Sequence, residues 1–394
     1  MRAPLRIRSD GEQRSTNLEQ FFDLVFVFAL TQVSTLLTHE LNWTGAGSAL
    51  FLLLVAWWAW IYTTWMTNWF DPDAAAVRVM LLFVMLAGLF MSIAIPRAFG
   101  ALGLMFALAY VALQLVRNAF IVVGTDRAEP LHPSFERILA WSAWTGALWI
   151  AGGVLAGEAR VIIWLVALIC DYAGPFAGYW TPGLGRSQTS DWELEHAHFV
   201  ERFQLFILIA LGESITATGA SAAAHSHLGG DRIAAIAVGF AITAALWWLY
   251  FDHVAARSAE DFAAAEDRGQ LGRDAFTYLH IPIVAGIVLA AVANKIVIAR
   301  PAAAPGAAQL LTIAGGPALY LAGHLAFRAR MTATLSATRA AAILAIGGAG
   351  ALGTLLPAVA TEGLVTLILV GTVIVEVSRG RVTASRPGRA RSTP

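Results

Sequence analysis

The amino-acid sequence predicts an all-α integral membrane protein of about twelve transmembrane helices, and three observations carry that expectation. The 394-residue chain is 58% hydrophobic and only 13% charged, where soluble domains average roughly a quarter charged. Its apolar residues fall in blocks of about 20, the length a helix needs to cross ~30 Å of hydrocarbon. The basic residues gather at one set of block ends.

Six blocks occupy the first half, at 21–38, 48–68, 77–95, 100–123, 138–155 and 161–180. Six more occupy the second, at 199–219, 233–251, 276–299, 308–327, 338–356 and 361–378. With the N-terminus inside, five of the 26 lysines and arginines (Arg97, Arg160, Arg232, Lys295 and Arg300) fall on the outer side. The rest, Arg117 and Arg339 among them, fall on the cytoplasmic side, a strong positive-inside bias. An even count keeps both basic termini cytoplasmic. The arginine-bearing start runs straight into a segment containing Asp23 without a small-residue cleavage site, so the first helix is expected to act as its own insertion signal.

Individual blocks carry their own signals. The second holds Trp57, Trp58, Trp60, Trp65 and Trp69. Five indoles along one helix cannot all sit in an interface belt, so packing inside the bundle is the expectation. The sixth contains Asp171 and, at Gly174-Pro175, a potential helix break. Cys170, the single cysteine, excludes an internal disulfide and any multi-cysteine metal site, and reads as a small apolar filler. Lys295, the only lysine, is expected to snorkel at the outer end of the ninth block. His280 and His324 lie within the ninth and tenth blocks and are expected to pack through hydrogen bonds.

The halves match at a shift of 180–210 residues. Glu19-x-Phe21 falls on Glu201-x-Phe203, Tyr110 and Gln114 on Tyr320 and His324, Arg137 on Arg339, and Asp171 close to Glu376. Six is even, so both repeats would insert with the same orientation, about an axis along the membrane normal, with a site near their interface. The expected division is a cytoplasmic arm (1–17), a first six-helix repeat (18–180), a cytoplasmic connector (181–198), a second six-helix repeat (199–378) and a basic disordered tail (379–394).

Carboxylates at membrane depth are costly and need a partner, a wet cavity or a task. Glu19 and Asp23 are one turn apart on a helix face, with Ser34 on the same stripe. Glu19 also suits plain N-terminal capping, offsetting the positive end of the helix dipole. Arg202 and Glu213 are eleven residues apart, on one face but ~16 Å apart in rise, so they cannot pair with each other. Arg202 can pair with Glu19, Asp23 or Glu201. Glu213, in Leu211-Gly212-Glu213-Ser214, is the candidate proton or cation group, able to carry charge and to shift its affinity for a proton on burial. Glu193, Glu195, His196, His198 and Glu201 cluster just before the seventh block. Two histidines without cysteine at an aqueous edge suit a solvated cap or gate better than a metal site.

Two motif matches mislead. Gly348-Ala349-Gly350-Ala351-Leu352-Gly353 fits a dinucleotide fingerprint but lies in an apolar block with no preceding strand; its small residues suit close helix approach. Asn42-Trp43-Thr44 fits a glycosylation sequon, of consequence only in a secretory pathway. The sequence contains no phosphate loop, nucleophile elbow, zinc-protease motif or nucleic-acid signature, and nothing in it calls for a cofactor or a metal.

Leu18-Glu19-Gln20-Phe21-Phe22-Asp23-Leu24-Val25-Phe26-Val27, followed by Thr31-Gln32, resembles the opening of the bacterial low temperature requirement protein A (LtrA) family. His198-Phe199-Val200-Glu201-Arg202-Phe203 leading to Leu211-Gly212-Glu213-Ser214 resembles that family's second signature. Gln20 and Gln204 depart from its pattern at uncharged positions. The likeness covers residues 15–378. It implies a multi-pass inner-membrane protein, linked by name to growth in the cold, and supplies no catalytic mechanism.

The leading expectation is therefore a secondary transporter or ion-conducting protein rather than an enzyme. Its pathway residues would be Glu213, Asp23, Arg202, Asp171, Glu201, Glu19 and His198, and its partners the lipid bilayer and a small solute or ion, with no nucleic acid. The alternatives are an intramembrane enzyme acting on a lipid or isoprenoid through Glu195, His198, Glu201 and Arg202, and a non-catalytic scaffold or stress factor. A scaffold would pair all its polar residues with one another and leave no cavity between the halves.

Overall fold

The computed structural model describes residues 14–192, 194–252 and 256–384. Among them the fold is all helical; the one β-bridge, Thr181 with Gly185, is isolated. The first run comprises α1 (Asn17–His39), α2 (Trp43–Trp69), α3 (Ala75–Ala94), α4 (Gly103–Gly124), α5 (His132–Val154) and α6 (Gly157–Ala173). The second comprises α7 (His196–Ala223), α8 (Gly230–Tyr250), the short α9 (Ala256–Ala263) and α10 (Arg268–Leu271), then α11 (His280–Ala299), α12 (Ala307–Thr332), α13 (Ala337–Leu352) and α14 (Ala358–Ala384). A π-helical stretch, Gly272–Tyr278, joins α10 to α11.

Ten of these helices are long and apolar enough to cross a membrane: α1 to α4, α7, α8, α10 continuous with α11, and α12 to α14. The fifth and sixth expected spans correspond to α5 and α6, which are not among the ten. Trp, Ser and Thr dilute α5, and α6 has only 17 residues. The sixth block does not run to 180: the helix ends at Ala173, and Gly174-Pro175 opens a series of turns. Outward faces are apolar, with Leu86 and Phe90 on α3, Ile162 and Ile169 on α6, Phe240 on α8 and Leu367 on α14 all exposed. So much exposed apolar surface suits lipid and not water. The chain is a multi-pass helical membrane protein.

Neighbours in sequence pack as neighbours in space along α3–α4–α5–α6 and α11–α12–α13–α14, and α8 closes against α14. Helix α1 is the hub, in contact with α2, α3, α7 and α11. The tryptophans of α2 from Trp57 to Trp69 pack inward, while Trp43 at its start is exposed, and three of the inward indoles find hydrogen-bond acceptors. Trp57 Nε1 donates to the Thr277 carbonyl at 2.8 Å, Trp65 Nε1 to Thr277 Oγ1 at 3.1 Å and Trp60 Nε1 to Asp23 Oδ1 at 2.8 Å.

Helices α11 and α12 pack backbone against backbone. A Cβ on Gly286 would lie 2.7 Å from the Tyr320 nitrogen and 2.8 Å from the Gly316 oxygen. Of the fingerprint-like glycines, Gly350 on α13 serves close approach to α12, where a Cβ would come within 2.8 Å of Ala314 Cβ, whereas a Cβ on Gly348 would meet nothing within 4 Å. Asn42 caps α2, its side chain accepting from the Gly45 N–H.

Candidate functional site

Thr16 and Glu19 form a capping box at the start of α1. Glu19 Oε2 accepts from the Thr16 N–H and hydroxyl at 2.9 and 3.0 Å. The other oxygen, Oε1, faces His198 Nε2 of α7 at 2.8 Å and Arg202 Nε at 4.0 Å. One turn along α1, Asp23 Oδ1 receives Arg202 Nη2 at 2.7 Å together with the Trp60 indole. Glu19 is thus both a cap and a partner of α7. Glu19, Asp23, His198 and Arg202 are all fully buried.

Asn68, near the end of α2, fixes the proton on His198. Its Oδ1 accepts from the Glu195 N–H at 2.8 Å, so its Nδ2 must face His198 Nδ1, 3.2 Å away, as a donor. A neutral His198 then carries its proton on Nε2 and donates it to Glu19. Among the described contacts, both carboxylates, Glu19 and Asp23, meet the Arg202 guanidinium. Asp23 Oδ2, Arg202 Nε and Arg202 Nη1 have no hydrogen-bond partner, and Phe22 lies against the guanidinium, its ring centre 5.9 Å away.

Further along α1, Thr31 Oγ1 donates to the Val27 carbonyl at 3.1 Å, and Glu213 of α7 lies close enough to Thr31 and to Lys295 of α11 to feel both. Lys295 does not snorkel: it turns inward and donates to Ser34 Oγ at 2.8 Å. Glu213, Ser34 and Ser214 border a cavity of about 10 Å³ between α1, α7 and α11, close to the space one water needs.

Asp171 lies apart, in the last turn of α6. Its Oδ2 accepts from Tyr110 Oη and Trp149 Nε1, each at 2.9 Å. Gln114 donates to Tyr110 at 2.9 Å and accepts from Arg117, so a relay links the carboxylate to a guanidinium. The positional count put Arg117 on the cytoplasmic side of the fourth block. It is fully buried in α4, and among the described residues its hydrogen bonds go to the neutral oxygens of Gln114, Asn118, Thr63 and Ala59. Arg160 likewise turns inward, binding carbonyls of Ala98, Gly100, Gly152, Gly153 and Leu155.

Two cavities meet beside this relay. A vestibule of about 80 Å³ is lined by the aromatic rings of Trp58, Trp65, Trp69 and Trp192 and by Arg273 and Thr277. A smaller polar chamber of about 10 Å³ reaches Asp171, Tyr110 and Gln114. Trp58, Tyr62 and Tyr179 border both, and the hydroxyls of Tyr62 and Tyr179 hydrogen-bond to each other in the wall between them. Burial raises the Tyr179 phenol above its ordinary range, so it stays a neutral donor.

The structure therefore brings Glu19, Asp23, His198 and Arg202 together and keeps Glu213 and Asp171 separate. Glu201 accepts from the Ser15 N–H at 2.7 Å, and Glu195 caps α7 by accepting from Ala197 and His198. Glu193 lies outside the described residues. Arg339 binds Glu376 through two bonds of 2.9 Å, whereas Arg137 engages the Leu184 carbonyl and Ser187. Sequence reasoning passed over Arg117 as a buried group and Glu362 altogether; the only available signal was a charge within the apolar run.

A protein of Rhizobium meliloti (strain 1021), described as uncharacterized, is 36% identical over 325 residues, which is 82% of this chain and 78% of the relative. No solved structure matches the chain significantly. The family model for the bacterial low temperature requirement A protein (LtrA) matches residues 14–374. The chain belongs to the LtrA family.

Proposed function

We propose that this protein is a secondary transporter or ion-conducting protein of the bacterial inner membrane that works through its buried carboxylates. The carrying observation is the fully buried α1–α7 cluster, in which Glu19 and Asp23 meet Arg202 and His198 at membrane depth; buried carboxylates beside a histidine can take up and release a proton. Glu213, beside a water-sized cavity on the same stripe, is the second titrating or cation-binding group. Solute enters by the aromatic vestibule, passes the Tyr62–Tyr179 wall and meets Asp171. Both termini are cytoplasmic, and residues 18–180 and 199–378 are parallel six-helix repeats whose interface includes the cluster. Glu201, bound to the start of the chain, stands at the cytoplasmic edge.

Proton and cation flux into proteoliposomes, wild type beside Glu213→Gln, tests this reading. Flux in the wild type and background flux in the variant are expected. Equal flux in both removes Glu213 from the pathway, and absence of flux from folded wild type under every gradient and solute tried ends the transport reading. Tyr179→Phe removes one hydroxyl of the wall and about 1 kcal/mol of closure, so flux should rise roughly fivefold if the wall limits passage. An unchanged rate would show that it does not.

The scaffold reading draws on one observation, that most polar groups of the cluster are engaged with one another. The enzyme reading has less support: Glu195 and Glu201 are held by backbone N–H groups and Arg202 is fully buried.

A further inference from the structure

Buried polar atoms without a partner are rare, and each one calls for an explanation such as strain, function, a water or an ion. Beyond the Asp23–Arg202 pair, those among the described residues concentrate in the half built from α7, α8 and α11 to α14. They include Ser214 Oγ, Asn294 Oδ1, both ring nitrogens of His324 and both carboxylate oxygens of Glu362.

Glu362 is the most costly of these. It lies in the second turn of α14 and is fully buried, as are Thr361, Val365 and Leu369 around it. Thr366, one turn on, donates to the Glu362 backbone carbonyl and not to its carboxylate. A Cβ on the next residue, Gly363, would lie 3.9 Å from Val238 of α8, and the residue after Val238, Gly239, packs on Asn294. Gly363 and Asn294 therefore approach adjacent residues of α8. Asn294 Nδ2 donates to the Gly239 carbonyl at 3.2 Å and to Thr218 Oγ1 at 3.3 Å.

Among the described residues no cation pairs with Glu362, and Arg300, at the α11 end nearest the start of α14, is exposed. On α8, Asp231 is exposed and Arg232 donates to the carbonyls of His227 and Ile298. On α11, Lys295 is bound to Ser34, and His280 to Tyr250 and the Ala275 carbonyl. On α12, His324 sits against the rings of Tyr250 and Tyr320, Arg328 binds Thr334 and Arg330 binds Asp274. Arg339 of α13 is taken by Glu376 of α14, which is itself about 21 Å along the helix from Glu362, and Arg379 is further still. An ionised carboxylate stripped of water, counter-charge and donors is far more costly than the neutral acid.

We propose that Glu362 is a proton-binding site, a carboxyl group that holds its proton in the resting protein. The site is separate from the α1–α7 cluster and does not depend on the transport reading. An open apolar cleft of about 630 Å³ between α8 and α14, bordered by Val238, Gly363, Thr366 and Leu367, lies on the neighbouring face of α14, so a hydrophobic reagent can gather within one residue of Glu362 in sequence and needs only local opening of the helix packing to reach it.

Dicyclohexylcarbodiimide, which adds to protonated carboxyl groups in apolar surroundings, tests this on the purified full-length protein in detergent. Mass spectrometry of the peptides should place the adduct on Glu362, with labelling that falls as pH rises and is unaffected by sodium or potassium at constant pH. Infrared spectroscopy should show a protonated-carboxyl band in the wild type that is lost in Glu362→Gln and shifted in Glu362→Asp. Folded wild type lacking both adduct and band would overturn the proposal. So would protection by sodium or potassium at constant pH, which would put a metal cation in the proton's place.

Discussion

Arg202→Met should destabilise the folded protein by about 3–5 kcal/mol, the usual cost of removing one partner from a buried ion pair. Asp23 would keep its Trp60 bond but lose the one cation that pairs with it among the described residues, and Glu19 would lose the guanidinium 4.0 Å away. Thermal unfolding in detergent gives the measurement. Asp23→Asn combined with Arg202→Met should lose less than Arg202→Met alone, because the uncompensated carboxylate is then gone. Should the double variant instead lose the sum of the two single effects, Asp23 and Arg202 are not energetically coupled. This experiment also bears on function, since a cluster built only for stability would gain from an apolar replacement of both charges.

The second large effect is expected at the α11–α12 contact. Gly286→Val places its Cβ against the backbone of Tyr320 and Gly316, and backbone atoms cannot move aside as a side-chain tip can. Overpacking of this kind costs roughly 3 kcal/mol or more, and loss of monodisperse protein on size-exclusion chromatography should report it. Gly371→Ala on α14, where an added Cβ meets nothing within 4 Å, serves as the control and should be neutral or slightly stabilising. If Gly286→Val were as well behaved as Gly371→Ala, the close crossing of α11 and α12 would be wrong.

Helix class and most segment positions were legible because lipid imposes long apolar runs whatever the tertiary contacts. The acids of α1 were legible too: a four-residue spacing fixes Glu19 and Asp23 on one face, and Arg202 was a candidate partner from the outset. The destinations of single charged side chains were not. Arg117 and Arg160 lie near the ends of their apolar runs, where a positional count assigns them to water, yet neutral oxygens from other helices draw both inward. Those oxygens are distant in sequence and leave no periodic trace. Lys295 follows the same logic, since its partner Ser34 is 261 residues away. Glu362 was missed for the opposite reason: an acid in the first turns of a helix reads as an ordinary dipole partner, and only the packing of α8 against α14 shows it to be sealed from water. The end of α6 at Ala173 was readable from Gly174-Pro175, but the position of Asp171 beside Tyr110 and Trp149 was not.

The π-helical stretch Gly272–Tyr278 places a numerical constraint on this chain. Its side chains use the wider winding: Thr277 Oγ1 donates to the Gly272 carbonyl and His280 Nδ1 meets the Ala275 carbonyl, each five residues back. One residue more than an α-helix would need is lodged there. Deleting any single residue of the stretch would let it relax to ordinary winding and turn everything before it by about 100° relative to everything after. Gly269, pressed on the Thr189 carbonyl and Trp192, and Gly286, pressed on α12, could not then both keep their places. The length of this stretch is thus fixed to the residue. Among relatives, side chains here should be exchanged far more freely than residues are gained or lost.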